Sequence, residues 1–199
     1  MHTHEKQDLI RRFWFGDDSL HLLRNQSLWF GKVPEFDAKV RTTFEPLLDQ
    51  AAAGAFDDWP ETKNGALALV LLCDQFPRNA YRDDDRAFAF DHRALKATQI
   101  AMARSFDKTL SPVERCFLYL PLEHSEDLTV QEQSVGLFEE LVSLSSPDEA
   151  AFIVSARDYA IKHRDIIARF GRFPHRNDIL GRSSTRDENQ FLKQPGSAF

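Results

Sequence analysis

The sequence predicts an all-α fold of about eight helices in antiparallel hairpins. Apolar residues recur at helical spacing along most of the chain, and Gly or Pro marks where those segments start and stop. No segment makes a convincing strand. The connections are short, so neighbouring helices should be antiparallel. The chain has 199 residues, of which 42% are hydrophobic, and this suits a single helical domain over residues 1–199.

The N-terminal half contains four predicted helices. The first covers Asp8 to Phe15 and is closed by Gly16. The second ends before Gly54 and is marked by apolar residues at helical spacing, namely Phe36, Val40, Phe44, Leu47 and Leu48. The third, Asn64 to Asp74, is rich in Ala and Leu, so we expect a helix buried on all sides rather than a strand. The fourth runs from Asp84 to Phe106.

Capping-box patterns mark three helix starts in the C-terminal half. In each, a Ser or Thr precedes a Glu by three residues, at Ser111, Ser146 and Thr185. Two of these starts also place Pro at the first helical position, where its missing N–H costs nothing. A further helix is predicted from Leu128 to Leu144. The tail from Gln194 to Phe199 should be loose.

Composition narrows the class of protein. The net charge of −6 and pI near 5.6 argue against general nucleic-acid binding. Cys73 and Cys116 lie in apolar runs, so we expect reduced, buried thiols in a cytoplasmic protein, with a disulfide as the alternative. The N-terminus has no apolar signal region, and the longest apolar run, Ala66 to Cys73, is too short to span a bilayer. We therefore expect no membrane partner.

Two separated motifs nearly repeat each other. The first is Asp74-Gln75-Phe76-Pro77-Arg78-Asn79, and the second is Phe170-Gly171-Arg172-Phe173-Pro174-His175-Arg176-Asn177. Each is expected where a helix ends, because a proline disfavours helical geometry at the residue before it. Each Phe should anchor a turn in the core, from which the Arg and Asn project. The two turns are therefore the predicted place for a site.

The charges around these motifs allow two interpretations. Asp74 at a helix C-terminus opposes the helix dipole and needs a cation, from Arg78, Arg82 or the second motif. An Arg–carboxylate clamp would be structural, whereas surplus guanidinium groups would favour an anionic ligand. The segment from Arg157 to Arg186 carries eight Lys or Arg and three Asp. This basic block either pairs with the acidic remainder of the chain or holds an anion.

A third segment supplies further candidates. Pro121 is expected to end one helix and Ser125 to cap the next, with Glu126 and Asp127 in the new first turn. This leaves Glu123 and His124 in a short loop. His163 lies on the apolar seam of its helix, so it is either a satisfied core histidine or part of a cavity wall.

No metal or cofactor is expected. Glu123, His124, His163 and His175 include zinc-ligand types, but no HExxH spacing or cysteine pair supports a zinc site.

At these motifs the chain resembles the bacterial proteins of the domain of unknown function 924 family. The resemblance covers nearly the whole chain and is carried by the two Phe-Pro motifs and by Arg82, Tyr119-Leu120-Pro121, Glu123-His124-Ser125-Glu126-Asp127, His163 and Leu180-Gly181-Arg182. Cys73 departs from the family, which more often has Leu there, and this affects packing only. The resemblance implies an all-α fold of the tetratricopeptide-like superhelical type. It implies no activity.

Two functions from different classes follow. The preferred hypothesis is a pocket that binds a small anion, a phosphate, a carboxylate or an acidic peptide end. Its predicted ligand-binding residues are Asp74, Arg78, Asn79, Arg82, His124, Arg172, His175, Arg176, Asn177 and Arg182. If hydrolysis occurs, Glu123 or His163 is the predicted general base. The alternative is a helical-repeat module that binds a protein or peptide, with the Arg clusters as structural clamps.

Overall fold

The chain is all-helical in the computed structural model, which describes residues 2–17 and 22–197. The predicted fold class is therefore confirmed, while the tetratricopeptide-like arrangement stays a prediction. The helices are α1 (Thr3–Phe15), α2 (Gln26–Trp29), α3 (Pro34–Ala52), α4 (Lys63–Val70), α5 (Phe76–Ala80), α6 (Asp91–Ala103), α7 (Pro112–Glu123), α8 (Leu128–Leu144), α9 (Pro147–Phe170) and α10 (Arg186–Phe191). The last two residues of the predicted loose tail lie outside the described residues.

Helix α7 is central to the packing and contacts α4, α6, α8 and α9. An aromatic cluster joins its N-terminal half to α1 and α2. The Trp14 and Trp29 rings stack with centroids 5.9 Å apart, and Phe117 of α7 meets Trp29 edge-on at 4.6 Å. Such offset and edge-to-face pairs stabilise a core beyond the area they bury. None of the described helices has the length and apolar character needed to cross a membrane.

Most predicted helix boundaries are confirmed. The three capping boxes form at Ser111, Ser146 and Thr185, where side chain and backbone satisfy each other's hydrogen bonds. Helix α8 has both predicted ends. The predicted Asp84–Phe106 helix is shorter than expected, because Asp84 instead caps a 3-10 turn over Asp85–Ala87 and α6 begins only at Asp91.

The first Phe-Pro motif does not end a helix, so that prediction was wrong. A π-helical turn over Leu71–Gln75 follows α4 and leads directly into α5. Phe76 has helical φ and ψ of −64° and −39°, and its N–H bonds to the Leu71 carbonyl, five residues back. A regular α-turn would clash with the ring of Pro77, whereas the wider turn admits it at the start of α5.

The second Phe-Pro motif ends its helix as predicted, but its Arg176 and Asn177, which were expected to project from the turn, are buried. Helix α9 ends at Gly171, which has a left-handed φ of 68°. Phe173 is extended at φ −86° and ψ 107°, as the proline after it requires. Its side chain is fully buried, like that of Phe76. Both phenylalanines therefore anchor their motifs, but only the second motif is a corner.

The α7–α8 connection differs from the prediction in two ways. Pro121 lies inside α7 rather than after it. Its missing N–H removes one helical hydrogen bond, but the helix continues past it, and the His124 N–H still bonds to the Leu120 carbonyl. The cap of α8 is Asp127, not Ser125. The Asp127 Oδ1 accepts from the N–H groups of Thr129 and Val130 at 2.8 and 3.2 Å. Glu126 therefore precedes the helix cap and does not lie in the first turn of α8.

Candidate functional site

The two motifs meet at Asp91, the first residue of α6. Arg78 of the first motif donates to both Asp91 carboxylate oxygens, at 2.8 and 3.0 Å. Arg176 of the second motif approaches one of them through Nη1 at 3.5 Å. The two motifs therefore converge as predicted. They do so at Asp91, an acid that was not among the residues predicted to form the site.

Asp74 is fully buried within the π turn and has the predicted cation. Arg78 Nη1 lies 3.2 Å from Asp74 Oδ1 and donates to the Asp74 carbonyl at 2.8 Å. Gln75 Nε2 donates to the other carboxylate oxygen at 2.6 Å. Burial alone would raise the pKa of the Asp74 carboxyl, but Arg78 and then His124 hold that pKa below its ordinary value. Asp74 is therefore a buried anion near neutral pH.

His124 caps the C-terminus of α7 and pairs with Asp74. Its Nδ1 lies 2.7 Å from Asp74 Oδ1. Burial, followed by the charge of Arg78, lowers the pKa of His124 below its ordinary 6.5, so the ring is neutral at pH 7. Because ionised Asp74 can only accept a hydrogen bond, the ring proton is assigned to Nδ1. Nε2 then carries the free lone pair of the ring.

Arg176 is the least compensated cation of the site. Only 6% of the residue is exposed, and its guanidinium lies over the rings of Phe173 and Phe88, at 4.4 and 4.8 Å from their centroids. Nη1 donates to the His124 carbonyl at 3.2 Å, but the buried Nε has no partner among the described residues. Burial and the charge of Arg78 lower the pKa of Arg176 to about 10. A buried arginine with so little opposing charge is unusual.

The other predicted arginines are matched by carboxylates. Arg82 pairs with Asp37, Arg172 with Glu188 and Arg182 with Glu126, each through two of its nitrogens, at distances from 2.6 to 3.0 Å. These bidentate pairs fit the clamp interpretation. The excess positive charge expected in the second motif is therefore confined to Arg176.

The two motif asparagines support these clamps. Asn79 Nδ2 donates to Asp37 Oδ1 at 2.9 Å, beside Arg82. Asn177 Oδ1 accepts from Arg182 Nε at 3.0 Å, and its Nδ2 donates to Ser184. Each asparagine therefore fixes an Arg–carboxylate pair rather than facing Arg176.

The two general bases predicted from the sequence, Glu123 and His163, contact each other in the core. His163 Nδ1 lies 2.9 Å from Glu123 Oε1 and 2.9 Å from the Tyr159 carbonyl. Both residues are almost fully buried, at 4% and 3% exposure. The third predicted histidine, His175, is half-buried, and burial and Arg176 lower its pKa to about 3. Core packing therefore describes Glu123 and His163 better than access to a ligand.

A pocket of about 610 Å³ opens beside Arg176 and His124. The pocket is also lined by polar and charged residues, namely Asp85, Arg86, Asp91, His92, Ser125 and Glu126, and by the apolar residues Phe88, Ala89, Leu95, Pro121 and Leu180. A pocket that combines apolar side chains with convergent polar groups is typical of small-molecule sites. A second pocket, of about 740 Å³, includes His175 and Arg182 but neither Arg176 nor His124. The first pocket is the better candidate because it holds the uncompensated charge.

Two acids of the site were missed by sequence reasoning. Asp91 carried no signal, because the sequence places it inside the predicted Asp84–Phe106 helix, whereas α6 begins at Asp91. Glu126 is predicted to lie in the first turn of a helix, where an acid is expected for the dipole alone. Within the described residues, no group of three or more His, Cys, Asp or Glu side chains is arranged to hold a metal ion.

Comparisons with known proteins place the chain in a family. A solved structure described as a protein of unknown function, ATU0120, from Agrobacterium tumefaciens is similar over 96% of this chain and 99% of its own, with 34% identity and a TM-score of 0.82. No curated protein matches the chain. A family model matches residues 10–196, so the chain belongs to the family described as bacterial protein of unknown function, DUF924.

Proposed function

We propose that the protein binds a small anion, a carboxylate or a phosphate, in the pocket beside Arg176. One observation carries this proposal: Arg176 is 6% exposed, yet its nearest carboxylate oxygen is 3.5 Å away on an Asp91 already engaged by Arg78. A buried cation is costly unless it is paired. A bound anion would supply the missing partner.

The surroundings of Arg176 favour a planar or tetrahedral oxyanion. The phenyl rings beside the guanidinium fix its plane, and a fixed fork of N–H donors suits carboxylate and phosphate oxygens. The second terminal nitrogen, Nη2, makes no hydrogen bond to a described residue. The apolar wall provided by Phe88, Leu95 and Leu180 suits a ligand that also carries a carbon skeleton.

The local backbone also supports a functional pocket. Asp74 lies in a π-helical turn, and such turns occur frequently at functional sites although they are rare elsewhere. This turn places Arg78 so that it contacts both Asp74 and Asp91. The free, buried thiols of Cys73 and Cys116 support a cytoplasmic location as part of the same proposal.

Ligand-induced thermal stabilisation tests the proposal. Phosphate, acetate and glutarate are compared at equal ionic strength with sodium chloride, for wild type, Arg176→Met and Arg172→Met. We expect at least one anion to raise the Tm of wild type and of Arg172→Met, but not that of Arg176→Met. Each shift is taken from the variant's own unliganded Tm, because breaking an Arg clamp lowers stability without affecting ligand binding. Equal shifts in wild type and Arg176→Met would contradict the proposal.

Hydrolysis is not assigned to the bases expected from the sequence. Glu123 and His163 bond to each other and neither lines the pocket. A hydrolytic activity in this pocket needs a base with access to it.

A second candidate function is a protein or peptide interaction surface. Phe30 is 59% exposed and stacks on Phe117 and Phe152, with centroids 6.1 and 6.4 Å away. An aromatic group held on the surface in this way is typical of an interface anchor. In this proposal the pairs of Arg82, Arg172 and Arg182 are purely structural. Co-purification of one partner in near-equal amount, abolished by Phe30→Glu, tests it.

A further inference from the structure

His124 has the geometry of a general base. Its Nδ1 is 2.7 Å from the fully buried Asp74, and 13% of its side chain remains exposed where it lines the pocket. Nε2 makes no hydrogen bond to a described residue and is not among the buried unpaired nitrogens. A carboxylate on one ring nitrogen fixes the tautomer and leaves the other nitrogen to accept a proton.

Asp74 is itself held in one orientation. Gln75 donates to Oδ2 at 2.6 Å, and Arg78 Nη1 lies 3.2 Å from Oδ1. Arg78 is in turn fixed by both oxygens of Asp91. An orienting acid supported by further hydrogen bonds is what a base needs in order to keep its geometry during a reaction.

Arg176 lies next to this pair. Its Nη1 donates to the His124 backbone carbonyl at 3.2 Å, so a group bound to Arg176 lies close to the imidazole. The site therefore combines an oriented base, an anion-binding cation and an apolar wall in one pocket.

We infer that this pocket hydrolyses a small carboxylic ester whose acyl group carries a carboxylate, with His124 as general base and Asp74 as its positioning residue. The inference rests on the proposed function, because Arg176 binds the carboxylate of the substrate.

The reaction is balanced by one water molecule. His124 Nε2 takes a proton from water while the water oxygen attacks the ester carbonyl carbon, and the carbonyl electron pair moves to oxygen. The tetrahedral intermediate then collapses, the bond from carbon to the alcohol oxygen breaks, and protonated His124 returns the proton to the departing alcohol. The products are a carboxylic acid and an alcohol, and His124 is neutral again.

The pH dependence is defined by the groups that face His124. These are Asp74 and Arg78 from the first motif, Glu123 from α7, His163 from α9, and His175 and Arg176 from the second motif. Burial and Arg78 together lower the pKa of His124 below 6.5, against the opposing effect of Asp74. Since the base must be neutral, the rate should rise with pH through a midpoint below 6.5 and then stay level.

The experiment compares two activated esters, 4-nitrophenyl acetate and the mono-4-nitrophenyl ester of glutaric acid. We expect wild type to prefer the anionic ester and Arg176→Met to lose that preference. His124→Gln should lower kcat/KM by roughly 10²–10⁴-fold, the usual contribution of general-base catalysis. His4→Gln is the matched control, because His4 is exposed, does not line the pocket and forms no hydrogen bond or ion pair with a described residue.

Asp74→Asn tests whether Asp74 positions His124 for the reaction or only stabilises the fold. Since Asp74 raises the pKa of His124, its replacement should lower the plateau rate and move the midpoint to lower pH. Glutarate-induced stabilisation retained by His124→Gln shows that this variant is folded. Wild-type turnover by His124→Gln, equal losses in His4→Gln, or an unshifted midpoint in Asp74→Asn would overturn the inference. Glutarate binding by wild type without turnover of either ester would overturn catalysis alone, whereas loss of both would overturn the anion site as well.

Discussion

Arg78 and Arg176 converge on the same carboxylate, although they belong to motifs in different halves of the chain. Arg78 takes both Asp91 oxygens at 2.8 and 3.0 Å, and Arg176 reaches only one, at 3.5 Å. The two positive charges are close enough for Arg78 to lower the pKa of Arg176. The arginines of the two similar motifs thus share Asp91 as a partner, and Arg78 binds it more closely than Arg176 does.

Removal of the shared carboxylate should be rescued by an added anion. In Asp91→Ala, Arg176 loses the one carboxylate within hydrogen-bond range that the described residues offer it, while Arg78 keeps Asp74. We expect a loss of about 1–3 kcal/mol in the free energy of unfolding, the usual cost of removing one hydrogen-bonding partner. Formate should restore part of that loss, because it fits the space and the charge of the missing group. Urea unfolding with and without formate measures both effects.

Asp57→Ala provides the control for this rescue. Asp57 pairs with Arg93 but its side chain is 68% exposed, so the pair is screened by water and its loss should matter little. Formate should stabilise Asp57→Ala no more than wild type. An Asp91→Ala variant that unfolds like wild type, or that ignores formate, would contradict the arrangement of charges described above.

Glu126 should hold the second motif in place. Its Oε1 accepts the Phe173 N–H at 2.8 Å, and both oxygens bind Arg182, at 2.7 and 3.0 Å. Glu126→Gln removes the charge and one acceptor, so the amide of Phe173 should exchange with deuterium faster. Glu132→Gln, on the exposed face of α8, should leave the exchange unchanged. Unaltered protection of Phe173 in Glu126→Gln would mean that the corner is held by its buried side chain alone.

The elements of the fold were predictable because their signals are local. Capping boxes, glycine stops and helical spacing act over a few residues, and the helices they predicted at Ser111, Ser146 and Leu128 are present. The prediction failed at Pro77, where the chain stays helical although a proline disfavours helical geometry at the residue before it. The motif around it is buried, and a π turn keeps its hydrogen bonds while admitting the ring.

The partners of the charged groups were less predictable, because they come from distant parts of the chain. Arg78 was one of three partners expected for Asp74, and it is the one that pairs with it, four residues away. Asp37 and Glu188 gave no such signal for Arg82 and Arg172. Each acid lies in the first turn of a helix, where the helix dipole already accounts for it. Its ion pair with an arginine forms only when the helices pack together.

Acid should destabilise the protein through carboxyls whose folded-state pKa is depressed. Burial opposes ionisation of Glu126, yet Arg182 and the Phe173 N–H bring its pKa below 4.5, and hydrogen bonds from Arg172 lower the pKa of Glu188 to about 2. A depressed pKa gives stability that is present above the unfolded value and is lost as pH falls through the folded one. The free energy of unfolding should therefore decline from about pH 4.5 downward. Glu188→Gln should have a flatter profile there, and an equally steep one would contradict its assigned pair.

The two cysteines should react only when the fold opens. Burial raises the pKa of Cys73 to about 12 and that of Cys116 well above its ordinary 9.0, so at pH 8 the native protein holds almost no thiolate. Labelling by a disulfide reagent should therefore be slow, accelerate in urea, and slow further when phosphate or glutarate stabilises the folded state. Cys73→Ser isolates Cys116, which is buried within α7, and its labelling reports on global unfolding. Labelling of either native thiol within seconds, at a rate independent of urea, would contradict the burial of that cysteine.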